Sequence, residues 1–193
     1  MRIAPFGVEQ WMNEYETRCA YNLAETCVES LTLAQLLDLV GYTGDLRDEL
    51  LPMKLTYGAI EGSERLRAAV AALYDQQTPA NTLITHGAIG ANHLVHMTLV
   101  EPGDRVVSVL PTYQQHYAIP ESIGADVRIL RLREDNAWLP DLDELREHVR
   151  GGAKLVAINN PNNPTGSLMD RAMLEEIAAI CDGAGAWLLC DEV

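Results

Sequence analysis

The chain has 193 residues, of which 48% are hydrophobic and 22% charged, ordinary proportions for a globular protein of one domain or one domain with a small appendage. Fourteen Lys and Arg against 28 Asp and Glu give a net charge of -14, which repels phosphate backbones and argues against nucleic acid as a partner. No stretch approaches the roughly 18 apolar residues of a membrane helix, and MRIAPFGVEQWMNEYE lacks the basic start and apolar run of a secretory signal. No membrane partner is therefore expected, and a cytoplasmic location is.

Residues 8–18 place Val8, Trp11, Met12 and Tyr15 on one face of a predicted helix. YNLAETCVES reads as a loop or short strand. A short helix is predicted from about Leu33 to Val40, with Ser30 or Thr32 as its cap and Gly41 as its stop. SERLRAAVAALYDQQ is a capped helix whose Leu66, Val70, Leu73 and Tyr74 are expected to face inward. TLIT (82–85) is predicted as a strand, followed by a Gly-Ala turn at 87–88 and a helix to Val100. Strand RVVSVL (105–110), a helix after Tyr113 and strand DVRILRL (126–132) come next. DLDELREHVR is an amphipathic helix, KLVAI (154–158) a strand and NNPNNPTG a long turn. A helix from about Asp170 to Asp182 leads into strand WLLC (187–190).

Strand and helix thus alternate from residue 82 onward, which predicts an α/β fold: a mostly parallel sheet with helices on both faces. Ligands of such sheets bind beyond the carboxyl ends of the strands. The turn at 87–90, Asn159 to Gly166 and Asp191 all fall there. The four cysteines form no C-x-x-C pair and read as reduced thiols. His93 and His96 stand three apart on a helix, but a metalloprotease pair stands four apart with a glutamate between, and no metal site is indicated.

Each edge feature has a bland reading beside a functional one. THGAIGAN offers free helix-start amides to an anion, but small residues there also permit close packing of strand and helix. NNPNNPTG is a turn with two Asn-Pro steps, yet four asparagine amides are more than a turn needs. Asp191 follows an apolar strand, as the acidic residue of a Walker B strand does. Neither G-x-x-x-x-G-K-[ST] nor G-x-G-x-x-G occurs in the chain, which argues against a phosphate-loop ATPase and a Rossmann dehydrogenase.

Taken in order, YGAIEGSERLRAAVAALY, ITHGAIGANHL, LVEPGDRVVSVLPTY, NNPNNPTG and LLCDE resemble the class I/II aminotransferases of pyridoxal-phosphate fold type I, from about Tyr57 to Val193. The resemblance implies pyridoxal 5'-phosphate as cofactor and the large domain of that fold. It divides the chain into an amino-terminal segment, 1–45, and an incomplete cofactor-binding domain, 46–193, with the carboxyl-terminal small domain absent. It assigns Asp191 to the pyridine nitrogen, Asn163 to the ring hydroxyl oxygen and Tyr113 to stacking on the ring. Gly87, Ala88 and Ile89 match the phosphate turn, although a hydroxyl residue is common where Ile89 stands. Tyr57 matches a tyrosine that reaches the phosphate from a neighbouring subunit, which implies a homodimer. YNLAET looks like the family's entry segment near the substrate carboxylate. The stretch from Trp11 to Leu37 resembles an arginine-acting subgroup that includes capreomycidine synthase.

The family's reaction moves an amino group between an amino acid and a 2-oxo acid, and it needs a lysine that lies after the aspartate strand. The chain's two lysines, Lys54 and Lys154, both precede Asp191, so no catalytic residue is assigned within the chain. The expectation is an aminotransferase-like protein that is inactive as this piece. Elimination, cyclisation, oxidation or decarboxylation on the same scaffold is the alternative, and a non-catalytic fragment or half of a split enzyme is another. In the family's sheet, two later strands separate the strand before the phosphate turn from the aspartate strand. Residues 82–85 are therefore expected to lie beside a gap, and the isolated chain to be marginally stable, aggregation-prone and unable to bind the cofactor durably.

Overall fold

The computed structural model of the chain describes residues 2–24 and 27–193. In chain order its helices and strands are α1 (Gly7–Tyr15), α2 (Leu33–Leu39), α3 (Leu46–Leu50), α4 (Glu64–Ala71), α5 (Gly87–Leu99) and β1 (Arg105–Leu110), then α6 (Gln115–Ile123), β2 (Asp126–Arg131), α7 (Leu142–Val149), β3 (Leu155–Asn159), α8 (Arg171–Gly183) and β4 (Trp187–Asp191). The described residues form two units, one of those up to Asn22 with Thr85–Val193, the other of those within Leu23–Ile84.

In the larger unit the four apolar runs form one parallel sheet in the order β2-β1-β3-β4. Chain order and sheet order differ because the chain steps from β1 to one side, then crosses back over β1 to β3. Right-handed crossovers require steps in opposite directions to place their helices on opposite faces. The packing agrees. Val107, Val109, Val156 and Ile158 pack on one face with Leu145 and Val149 of α7 and Ile177 and Cys181 of α8. Val106 and Leu155, their alternate neighbours, pack on the other with Val95 and Leu99 of α5 and Ile123 of α6. Period-two alternation thus sends each strand's side chains into two cores at once, which is why β1 and β3 read as continuous apolar runs.

In the larger unit α7 and α8 start where short polar side chains satisfy free amides. Asp170 accepts from the Met173 amide at 2.8 Å to open α8, and Asp141 accepts from Asp143 and Glu144 to open α7. The acidic residues in the first turn of α7 also oppose its dipole favourably.

The smaller unit has good caps and little core. Thr32, not Ser30, caps α2 in a reciprocal capping box with Gln35, and Gly41 follows the helix at φ +62. Asp45 caps the five-residue α3, which the periodicity did not suggest. Ser63 caps α4 as expected. The inward face expected for α4 is overturned: Leu66, Leu73 and Tyr74 are exposed, Val70 is half-buried, and Ala71 is the buried residue. No second layer covers that side of the helix within its unit. Arg67 ties the unit together, bonding the carbonyls of Gly62 and Pro79 and pairing with Glu61 at 3.3 Å. Gly62 sits at φ +96 against Ile84, where a Cβ would collide.

The strand expected at 82–85 does not form. Its backbone has no ladder partner among the described residues: the Thr82 amide bonds the nearby Pro79 carbonyl at 3.3 Å and the Ile84 amide the Glu61 carbonyl at 3.0 Å. A strand exists only where a neighbour exchanges hydrogen bonds with it, and propensity alone cannot supply one. Of the segment YNLAET, Glu25 and Thr26 lie outside the described residues, and 21–24 has no regular structure. Among the described residues, no helix is long and apolar enough to cross a membrane.

Candidate active site

The reversal of direction between β1 and β3 opens a crevice at their carboxyl ends, the place where open α/β sheets bind ligands. Residues at or beyond the carboxyl ends of β1, β3 and β4 and the first two turns of α5 line a cavity of about 230 Å³ there. Ala88, Ile89, Tyr113, Asn163 and Asp191, five of the seven residues singled out from the sequence, all line it, together with Asn92, Asn159 and Val193. Gly87 begins α5 beside Ala88. Tyr57 belongs to the smaller unit, where its side chain is fully exposed.

Asp191 ends β4 and is 7% exposed. Burial alone would raise its carboxyl pKa, but hydrogen bonds outweigh it and hold the group below its ordinary value. His116 Nε2 lies 2.9 Å from Oδ2, the Val193 amide donates to Oδ1 at 3.1 Å, and Asn92 Nδ2 donates to Oδ2 at 2.8 Å. The result is a fixed, ionised acceptor at the cavity wall.

The asparagine loop divides its labour. Asn159 donates to the Asp191 carbonyl at 2.9 Å, clasping the ends of β3 and β4. Asn160 bonds both the amide and the carbonyl of Met169, and Asn162 reaches the Pro111 carbonyl at 3.1 Å and accepts from Thr165 Oγ1 at 2.7 Å. These three build the loop. The Asn163 side chain makes no hydrogen bond among the described residues, and it lines the cavity with both amide functions available.

Tyr113 is held from behind by the amino-terminal segment. Its hydroxyl donates to Glu9 Oε1 at 3.0 Å, and Phe6 meets its ring edge-on with centroids 5.8 Å apart. Next to it, Gln114 donates to the carbonyls of Ala4 and Pro5 and accepts from the Gly7 amide. Burial, the Glu9 hydrogen bond and charge, and the Asp191 charge push the phenol up to about 12, so the ring stays neutral. α5, whose Ala88 and Ile89 line the cavity, starts with Gly87 at φ +71, Thr85 Oγ1 on the Gly87 carbonyl at 2.8 Å, and Gln115 Nε2 on the Ile89 carbonyl at 2.8 Å. No side chain caps α5, so its first amides and its positive dipole end are left to an outside acceptor. The cavity therefore combines anion-seeking amides, a neutral aromatic ring, an amide side chain and an ionised carboxylate.

Sequence reasoning missed Asn92, His116, Glu9 and Phe6. A polar residue at the inward position of an apolar helix was the available signal for Asn92 and His116. Nothing local marks Glu9 and Phe6, whose partner lies some 104 residues away. His93 is exposed while His96 is fully buried, so the pair does not converge. Lys154 lies just before β3, at the end of the sheet away from Asn159, about 16 Å along the strand. Lys54 is exposed in the smaller unit.

The chain matches the family described as aminotransferase class I and II over residues 50–193. It is 33% identical to capreomycidine synthase of Streptomyces vinaceus over 95% of its own length and 47% of that protein's. It is 34% identical to an aspartate aminotransferase of Pyrococcus horikoshii over 58% of this chain and 29% of that one. The crystal structure of a PLP-dependent aminotransferase from Streptococcus suis 89-1591 superposes on all of it with a TM-score of 0.94 at 46% identity, covering 52% of that chain. The chain spans about half the length of these relatives or less. By that match, and with homologues that use pyridoxal phosphate, the chain belongs to the class I and II aminotransferase family.

Proposed function

We propose that the cavity is the cofactor half of a pyridoxal-phosphate site in a protein that moves an amino group between an amino acid and a 2-oxo acid. The observation that carries the reading is the pairing of an ionised carboxylate, Asp191, with an uncapped helix start across one cavity. Asp191 would hold the ring nitrogen, Asn163 the ring hydroxyl oxygen and Tyr113 the ring face. The amides of Gly87, Ala88 and Ile89 would hold the phosphate. The cofactor, when bound, supplies an electron sink for charge developing at the substrate carbon.

The chain's own contribution is binding and electrostatics. Asp191, kept charged by His116 and Asn92, would favour a proton on the ring nitrogen. Asn163 would donate to the ring hydroxyl oxygen. Tyr113, braced by Phe6 and Glu9, keeps one ring face dry. With Lys154 at the far end of β3, the chain alone would hold the cofactor only by noncovalent contacts, without turnover. In the whole protein, Tyr57 would reach the phosphate of a second copy, making a homodimer, and the location would be the cytoplasm.

Pyridoxamine 5'-phosphate tests the site because it needs no lysine. Titrated into the chain and followed by its fluorescence, it should bind saturably to the native protein. Asp191→Ala should weaken binding by about tenfold or more, since it removes a charge-assisted hydrogen bond. Equal affinity in the two proteins would sink the reading. A second reading, cyclisation or another PLP reaction on the same scaffold, is favoured by the near-complete coverage of this chain in the match to capreomycidine synthase.

A further inference from the structure

The polar groups behind Asp191 extend deeper than its own partners. On α5, Asn92 and His96 stand one turn apart and are both buried, while the exposed face of the helix carries His93. Asn92 donates to Asp191. His96 is 0% exposed, and neither of its ring nitrogens has a partner. His116, equally buried, gives Nε2 to Asp191 and has no partner at Nδ1. The two imidazoles lie 6.1 Å apart between centroids, inclined at 63°.

Buried polar atoms are almost always bonded, and a gap too long for direct contact between polar groups is bridged by water. One unpartnered nitrogen would be a local defect. Three on two facing rings, which no other side chain serves, form a matched set of donors and acceptors. A buried water needs two or more polar partners, and these rings supply them. A leucine would fill position 96 without any such demand, so the imidazole is there for its nitrogens.

We propose that His96 is a positioning residue: through one buried water it bonds Nδ1 of His116 and thereby fixes which nitrogen of His116 presents its proton to Asp191. With Nδ1 accepting, the His116 ring carries its hydrogen on Nε2, which then donates to Oδ2. The opposite tautomer would set a nitrogen lone pair against a carboxylate oxygen. The partner of a ligating or proton-holding histidine commonly sets its tautomer in this way. His96 suits the task because burial, then His116 and His93, push its pKa down to about 4. It therefore stays neutral, with one donor and one acceptor nitrogen. The chain His96–water–His116–Asp191 thus ends at the group proposed to face the cofactor ring. Only this last consequence rests on the cofactor reading.

The test is nitrogen NMR on the full chain with ¹⁵N-labelled histidine and no ligand. The native protein should show His116 as the Nε2–H tautomer and a water cross-relaxation peak at His96. The inference is overturned by the Nδ1–H tautomer, or by a His96 ring with no water contact, and neither measurement depends on a variant folding. His96→Leu should populate both tautomers of His116, and His96→Gln, which can still donate through water, should restore one. An unchanged His116 in His96→Leu would equally overturn it. Pyridoxamine 5'-phosphate affinity should fall about tenfold in His96→Leu and recover in His96→Gln. Failure of the native chain to bind that probe counts against the cofactor reading alone, since the tautomer is read without it.

Discussion

The two units of the chain draw on similar amino acids and reach different degrees of closure. Among the described residues, every buried hydrophobic side chain except Ala71 belongs to the larger unit, whose sheet is covered on both faces. The smaller unit has three capped helices, one with a full capping box, yet exposes Leu33, Leu36, Leu39, Leu51, Leu55 and Leu73. Caps decide where a helix begins, but they do not bury it. Helical stability comes mostly from packing an apolar face against a second layer, and Leu23–Ile84 contains no such layer of its own.

The sharpest way to break that contrast is to remove matched side chains from each unit. Ile158→Ala, at a fully buried position on β3, should cost about 2–5 kcal/mol in urea unfolding. Leu39→Ala, where the side chain is 74% exposed, should change stability by less than about 0.5 kcal/mol. Comparable losses at the two positions would mean that Leu39 is covered in solution.

Acid should act on the larger unit through His96. Its folded pKa is about 4, against 6.5 when exposed, so between those values the unfolded chain binds a proton that the folded chain refuses. Stability present above pH 6.5 is therefore lost as the pH falls toward 4, by an amount on the order of 3 kcal/mol. Urea midpoints at pH 7 and pH 4.5 measure it, and His96→Leu should flatten that part of the profile. The smallest expected effect is a cap in the open unit. Thr32→Ala should lower the helical circular-dichroism signal slightly, at a cost of about 1 kcal/mol to α2. Hydrogen exchange should order the whole molecule in the same sense, slow at β1 and β3 and near the unprotected rate in α2 and α4.

Much of the larger unit was legible because its signals are local. Apolar runs at 105–110 and 154–158, the amphipathic pattern at 141–150 and the asparagine-proline turn each announce an element within a few residues. The parallel sheet followed from their alternation. Residues 82–85 carried the same signal as the true strands and failed, because a ladder partner is a property of another segment. The inward face assigned to α4 failed for the same reason. At the site, the resemblance located Asp191, Asn163 and Tyr113, and the cavity brings them together. The residues that tune them were hidden: His116 stands 75 positions from Asp191, and no window along the chain contains both.

Those separations also govern when the cavity can exist. A ribosome delivers the chain from its amino end, so Glu9 must wait for Tyr113, 104 residues later, and Asn92 for Asp191, 99 residues later. Loops of that length close slowly, and contacts of high sequence separation form late in folding. The helices can form as they emerge, while the pocket is assembled only after β4 has been laid down. The cavity is the last part of the larger unit to be completed.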